Sequence, residues 1–413
     1  MYAQQRVEPQ ALFRHVRHQI DSLRDTREPL VVAIDDTILR KTGRSIPNAA
    51  YRKDPLSPPF NLNLVWAQRM IQFSAAVPGD HAEVRMIPID YRDASTPRKP
   101  RKGSSEEQWQ AYREAMKQTN LNQRAIDMLH QLQNQRTVDT VPALHVLVDG
   151  SYTNRKVLKN LPPNTTLIGR IRKDARLYYL PEDQPKKGRK RLYGKQAPTP
   201  DALRRDSSVP WEILRVRTAG KDREFRVKTI APVRWRASGD AHDLRLFVIT
   251  PVPGRHTPGA KRIYRQPAYL ICTDPDLPIQ TVLQQYVWRW DIELNHRDEK
   301  TLLGVGQAQV RNKNSVELVP ASAVATYAML HVAAIRAYGW AGKANIIPLP
   351  KWRDPKKKKR ASTLDLVNEL RRQLWSRAIR PSHLSHFANN NHTLTKPQKY
   401  SPQLQSALNY RTA

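Results

Sequence analysis

Apolar residues fall along this chain in two textures. Short continuous runs at 30–34 (LVVAI) and 144–148 (LHVLV) suit strands buried on both faces, and each is followed by acidic residues. Asp35 and Asp36 follow the first run and Asp149 the second, so carboxylates are expected where strands end. Further strands are expected at 62–68, 70–77, 83–89 and 166–172, and helices over 8–26, 106–135 and 153–161. Strands that alternate with helices in this way indicate a mixed α/β layer architecture.

Between 175 and 266 the texture changes. A loop-like basic stretch precedes short alternating segments at 212–218, 224–232 and 243–250, which read as a β-rich insertion in the α/β domain. The domain resumes with a strand at 268–273 and a helix over 278–303 that Gly304 can terminate, then a mostly apolar helix at 320–338. The resulting organisation is a short helical segment at 1–28, core at 29–174, insertion at 175–266, core again at 267–340, and a basic linker, helix and polar tail at 341–413. Ser362 or Thr363 can cap the helix of that last part.

The stretch 286–300 (YVWRWDIELNHRDEK) concentrates chemistry on one helical stripe. Tyr286, Arg289, Glu293 and Lys300 fall at about 0°, −60°, −20° and −40° around a single helix, with Arg297 near +20°. Val287, Ile292, Leu294 and Leu303 lie outside the stripe and are available to a core. A surface helix laced with ion pairs would show the same charges.

Seventy Lys and Arg against 37 Asp and Glu leave a formal charge of +33, which calls for a polyanionic partner, DNA or RNA. The single cysteine, Cys272, excludes an internal disulfide and fits a reducing compartment. No apolar leader core opens the chain, and the Ala-rich run at 321–340 carries His331 and Arg336, which suits a buried helix. The histidines lack zinc-ligand spacing, and no glycine-rich phosphate loop is present. Lys186, Lys187, Arg189, Lys190 and Arg191 form a cationic cluster suited to a DNA backbone. Trp211, Trp235, Trp288 and Trp290 are candidates for stacking on an unpaired base, although core packing is the commoner use of such residues. Carboxylates converging within so basic a chain suit hard divalent cations with oxygen ligands, and a pair of such ions supports in-line phosphodiester cleavage.

The order Asp, Asp, Glu, with Tyr286, Arg289, Glu293 and Lys300 spaced Y-(2)-R-(3)-E-(6)-K, resembles the signature of a group of bacterial insertion-sequence DDE transposases. The similarity extends to IDDT at 34–37, VLVDGSY at 146–152, IGRIRKDARLY at 168–178 and LLGVGQAQVRN at 302–312. It implies an RNase H-like core with a β-strand insertion between the second Asp and the Glu. The first catalytic aspartate would be the one before Thr, Asp36 rather than Asp35, with Asp149 and Glu293 completing the metal ligands. Tyr286, Arg289 and Lys300 would contact phosphates. The resemblance further implies two Mg²⁺ ions, replaceable by Mn²⁺, and double-stranded DNA as both element end and target. A homodimer assembled on DNA and a cytoplasmic, nucleoid-associated location, with no membrane partner, go with it. Relatives usually carry a longer helical DNA-recognition region, whereas only 35 residues precede Asp36 here. A truncated, catalytically silent DNA-binding regulator is therefore the alternative.

Overall fold

The computed structural model of the protein describes residues 7–379 except 56, 59, 80–81, 98, 137–141, 183–187, 189, 219, 240–241, 255–258, 265 and 342–359. Two compact units divide at Met329 and Leu330. The first opens with α1 (Pro9–Asp21), β1 (Leu30–Arg40), β2 (Ala50–Lys53), β3 (Leu64–Pro78) and β4 (Val84–Asp93). Next come α2 (Glu106–Gln118), α3 (Leu121–Asn134), β5 (Leu144–Val148), α4 (Arg155–Lys159), β6 (Thr165–Arg170) and β7 (Leu177–Tyr179). Helix α5 (Pro200–Arg205) leads into β8 (Glu212–Thr218), β9 (Lys221–Trp235), β10 (Leu244–Ile249), β11 (Pro253–Gly254), β12 (Ile263–Tyr264) and β13 (Ala268–Cys272). Helices α6 (Ile279–Trp288), α7 (Asp291–Leu302) and α8 (Ser315–Tyr338) follow, the last crossing the division.

Eleven strands make one mixed sheet in the order β2-β3-β1-β5-β6-β13-β10-β9-β7, with β4 beside β3 and β8 beside β9. The expected α/β architecture, a large mixed sheet flanked by helices, is therefore present. β1 and β5 run parallel at its centre, Leu30 opposite Leu144 and Ala33 opposite Leu147. Val31, Ala33, Leu147, Ile168, Phe247 and Leu270 line a core that Val282 and Leu283 of α6 and Ile292 of α7 complete. Helices α6 and α7 thus cover the sheet face that the odd-numbered residues of β1 occupy.

Several expected boundaries move, each for a visible reason. β1 continues past the apolar run to Arg40, because β3 pairs with it from Val32↔Ala75 to Arg40↔Ala67. The two strands expected at 62–68 and 70–77 are one 15-residue strand, β3. The helix expected over 106–135 breaks at Thr119, where Asn120 turns extended and its side chain caps α3 through the Gln123 amide at 3.0 Å. The insertion strands continue the central sheet: β10 pairs with β13, and β9 with β10. Helix α8 has the length and composition of a membrane span, yet its Ala321 and Val324 pack on Leu39, Met70 and Phe13.

In the second unit Ala334, Ala361 and Leu366 form a small core with Leu330 and Tyr338 against α9 (Thr363–Ile379). Ser362 and Asp365 cap α9 reciprocally: the Ser362 amide and hydroxyl donate to Asp365 at 2.8 and 2.7 Å, and the Asp365 amide donates back at 3.4 Å.

Candidate active site

The site is built where β5 stops and β1 does not. Beyond Val148 the chain turns, leaving the rest of β1 flanked by β3 on one side and open on the other. The β1–β5 pairing ends at Ala33 opposite Leu147, and Asp149 is the first residue beyond β5. Asp149 shapes its own turn: the Ser151 amide donates to its Oδ1 at 2.8 Å, and the Thr153 hydroxyl to its carbonyl at 3.0 Å. Gly169 lies opposite Val148 in β6. A Cβ there would run into Thr153 Oγ1 and stand 2.7 Å from the Val148 side chain, so only glycine leaves this turn its room. We expect Gly169→Ala to lower stability by about 1–3 kcal/mol, read in thermal denaturation, with a parallel loss of activity.

Alternation along β1 gives neighbouring aspartates different surroundings. Asp35 shares a face with Ala33 and Thr37, under α7, whereas Asp36 points to the other side. Asp36 accepts from Arg69 Nε at 2.6 Å and from the hydroxyl of fully buried Tyr152 at 3.2 Å. Burial first, and then Asp36 and Asp35, hold the Tyr152 phenol well above its ordinary pKa, so it remains a proton donor to Asp36. Burial opposes the Arg69 charge, but Asp36, Tyr152 and Asp149 outweigh it and hold this guanidinium above its ordinary value. Arg69 and Tyr152 thus bond Asp36 directly and are reached by Asp149 only through its charge.

Asp35 belongs to a second set. Its Oδ2 is 4.0 Å from Arg289, whose other nitrogen donates to Glu293 Oε1 at 3.0 Å. Burial raises the Asp35 carboxyl to about 6, against the lowering influence of His296 and Arg289. The buried Arg289 guanidinium stands over the Tyr286 ring at 5.7 Å, and Lys300 Nζ donates to Thr37 Oγ1 at 2.6 Å. Lys300 therefore ties α7 to β1, while Arg289, in the turn before α7, holds the Glu293 carboxylate and stands 4.0 Å from Asp35.

The expected single helix over 278–303 is two helices joined by a tight turn. The Arg289 and Trp290 amides bond back only three residues, to Tyr286 and Val287, before α7 begins. Arg297 departs from the expected stripe: its side chain is 63% exposed and pairs with adjacent Asp298 at 2.8 Å. The buried positions of α7 include polar Asn295, His296 and Glu299. Asn295 donates to the Met86 carbonyl at 2.8 Å and accepts from the Tyr327 hydroxyl at 3.0 Å. Lys190 and Arg191 are exposed, while Lys186, Lys187 and Arg189 lie outside the described residues. Trp288 donates its indole N–H to the Ala82 carbonyl at 2.9 Å, and Lys228 stands 4.5 Å over Trp211, so both rings already have protein partners. Trp290 is half exposed.

Sequence reasoning missed Arg69, because only the β1–β3 register brings it to Asp36. Tyr152 was within the quoted VLVDGSY, three residues after Asp149, and that spacing was its one signal.

Among the described residues no three His, Cys, Asp or Glu side chains stand close enough to hold a metal ion as they are. In kind, however, the donors fit a hard divalent cation: Asp36 bonds Arg69 directly, Asp149 acts on the same guanidinium through its charge, and the half-buried Asp35 carboxyl is the neighbour of Asp36.

Residues 2–240, more than half of the 413, match the family described as DDE superfamily endonuclease. That family implies a nuclease that uses divalent metal ions and acts on DNA, and the mixed sheet flanked by helices is consistent with its RNase H-like fold. The match spans Asp36 and Asp149 and ends before Glu293. No curated protein matches the chain.

Proposed function

We propose that the protein is a DNA transposase of the group carrying the Y-(2)-R-(3)-E-(6)-K signature. The chain belongs to the DDE superfamily endonucleases. One observation supports the finer reading: Lys300 of α7 bonds Thr37 of β1, and Arg289 bonds Glu293 while lying 4.0 Å from Asp35, so two signature residues link the Glu293 helix to the strand of the aspartates. Asp36, Asp149 and Glu293 would hold divalent metal, two Mg²⁺ ions with Mn²⁺ as a substitute. Bound there, the metal supplies charge neutralisation at the scissile phosphate and a water of lowered pKa.

The chain's own residues supply the rest. Tyr152 and Arg69 fix the Asp36 carboxylate in one orientation, and Arg289 fixes that of Glu293. The exposed cations Arg297, Lys190 and Arg191 offer contacts to the DNA backbone, which add affinity with little sequence information. Element ends and target DNA are the substrates of this reading, a dimer on DNA is its working form, and the nucleoid its location.

Its test is a joining assay with labelled duplexes carrying the element ends. Strand-joined products are expected with Mg²⁺ or Mn²⁺ and are lost on chelation, while DNA binding persists and weakens as salt rises. Metal-dependent cutting without joining would reduce the protein to an endonuclease. Binding without either reaction would support the silent regulator.

A further inference from the structure

Strands β2 and β3 continue as a two-stranded ribbon past Arg40, where β1 ends opposite Ala67. The ribbon therefore leaves the sheet at the end of β1 that carries Asp35 and Asp36. Side chains alternate along it, so Tyr51, Lys53, Leu64 and Trp66 share one face. Met70 lies on that same face, opposite Thr37, to which Lys300 of α7 bonds. Trp66 is four residues, about 13 Å, along β3 from Met70.

This face is aromatic, basic and open. Tyr51 is 56% exposed and Leu64 50%. Arg44, from the loop after β1, lies over the Tyr51 ring at 5.2 Å and the Trp66 ring at 5.3 Å, and it donates to the Tyr51 hydroxyl. The two rings meet edge to face with centroids 5.3 Å apart. Trp66 is held in place: its indole N–H donates to the Gly43 carbonyl at 3.1 Å, and it packs on buried Ile46, Ala49 and Val316. Arg44 and Lys53 are exposed, and Arg44 pairs with no carboxylate among the described residues. Asp54, next to Lys53, is buried and bonds Arg40 at 2.8 Å.

An anchored aromatic ring with cations around it offers a nucleic acid a flat surface for a base and charge for phosphates. In a duplex the base faces are stacked on one another, so a duplex would use Arg44 and Lys53 and leave Tyr51 idle. An unpaired nucleotide uses all three. A second copy of the chain docked here would bring two sets of Arg44 and Lys53 together, which opposes self-association through this face. We propose that the face formed by Arg44, Tyr51, Lys53, Leu64 and Trp66 binds unpaired nucleotides of DNA that runs past the carboxylate site. A base stacks on Tyr51, and its flanking phosphates meet Arg44 and Lys53. The proposal rests on the reading of DNA as the substrate.

The test measures binding by the full chain without metal ion, in fluorescence anisotropy at physiological salt. The probes are a blunt duplex and the same duplex carrying a short single-stranded overhang. Tighter binding of the overhang duplex is expected. Tyr51→Ala and Arg44→Ala should each weaken that binding about tenfold, the loss of one stacked base, whereas Tyr51→Phe should keep it, since the ring makes the contact. Circular dichroism, with blunt-duplex binding unchanged in Tyr51→Ala, shows that the variants fold. Three results would overturn the proposal: equal affinity of the wild type for the two duplexes, an overhang preference kept in both alanine variants, or a dimer of the free protein that Tyr51→Ala dissociates. Overhang preference is read without metal, so it stands or falls independently of the carboxylate assignment.

Discussion

Arg289→Ala is expected to abolish strand nicking and to destabilise the fold together. The guanidinium is 11% exposed, bonds Glu293, stands 4.0 Å from Asp35 and lies over Tyr286, so its removal leaves the Glu293 carboxylate without the group that orients it. It also takes from half-buried Asp35 one of the two groups, with His296, that lower its carboxyl. Removing one partner of a buried charged set costs about 3 kcal/mol. Loss of carboxylate positioning should lower nicking by at least ~10²-fold, since misplacement of about 1 Å has that effect. Arg289→Lys separates the two contributions: it keeps a charge near Asp35 but not the forked contact, and should regain stability more than activity. Thermal denaturation and nicking rates on the same preparations check both.

The second large effect distinguishes the two neighbouring aspartates. Asp36→Asn is expected to reduce nicking by at least ~10³-fold, because it replaces the carboxylate that Arg69 and Tyr152 hold and that the proposed function makes a metal ligand with Asp149. Asp35→Asn should act mainly on stability. A carboxyl raised from 3.8 to about 6 by burial binds its proton more tightly in the folded state than in the unfolded one. The folded protein is therefore favoured while Asp35 is protonated and loses that advantage as pH rises through 6. A neutral Asn escapes the loss, so without divalent metal the variant should be more stable by on the order of 2 kcal/mol at pH 7.5. The gain should vanish near pH 4. Melting temperatures across that range, beside nicking rates for both variants, test the assignment; loss of nicking in Asp35→Asn with normal nicking in Asp36→Asn would reverse it.

What was legible in the sequence was the part fixed by local chemistry. The runs LVVAI and LHVLV had to be buried, and they are β1 and β5, side by side and parallel. Residues 175–266 had to change texture, since short alternating segments cannot be helices. That their strands continue the central sheet follows from β10 pairing with β13, a contact between segments about 25 residues apart that carries no local mark. The end of β1 was misplaced for the same kind of reason. Asp35 and Asp36 resemble a strand terminus until β3 is known to pair alongside them. Arg69 reaches Asp36 only through that register. The signature stripe was seen as one helix because 3.6-residue periodicity continues through Arg289 and Trp290, where the backbone stays helical while its bonds shorten to three residues. The stripe consequently keeps Arg289, Glu293 and Lys300 together and leaves Arg297 in solvent.

The central claim is that Asp36, Asp149 and Glu293 act as one carboxylate set. Its most direct test is nicking of end-bearing duplex DNA with Mg²⁺, comparing the wild type with Asp36→Ala, Asp149→Ala and Glu293→Ala, each also measured for DNA binding. The account predicts nicking at the element end by the wild type alone, with binding kept in all three variants. Nicking at the wild-type rate by any one of them would contradict it.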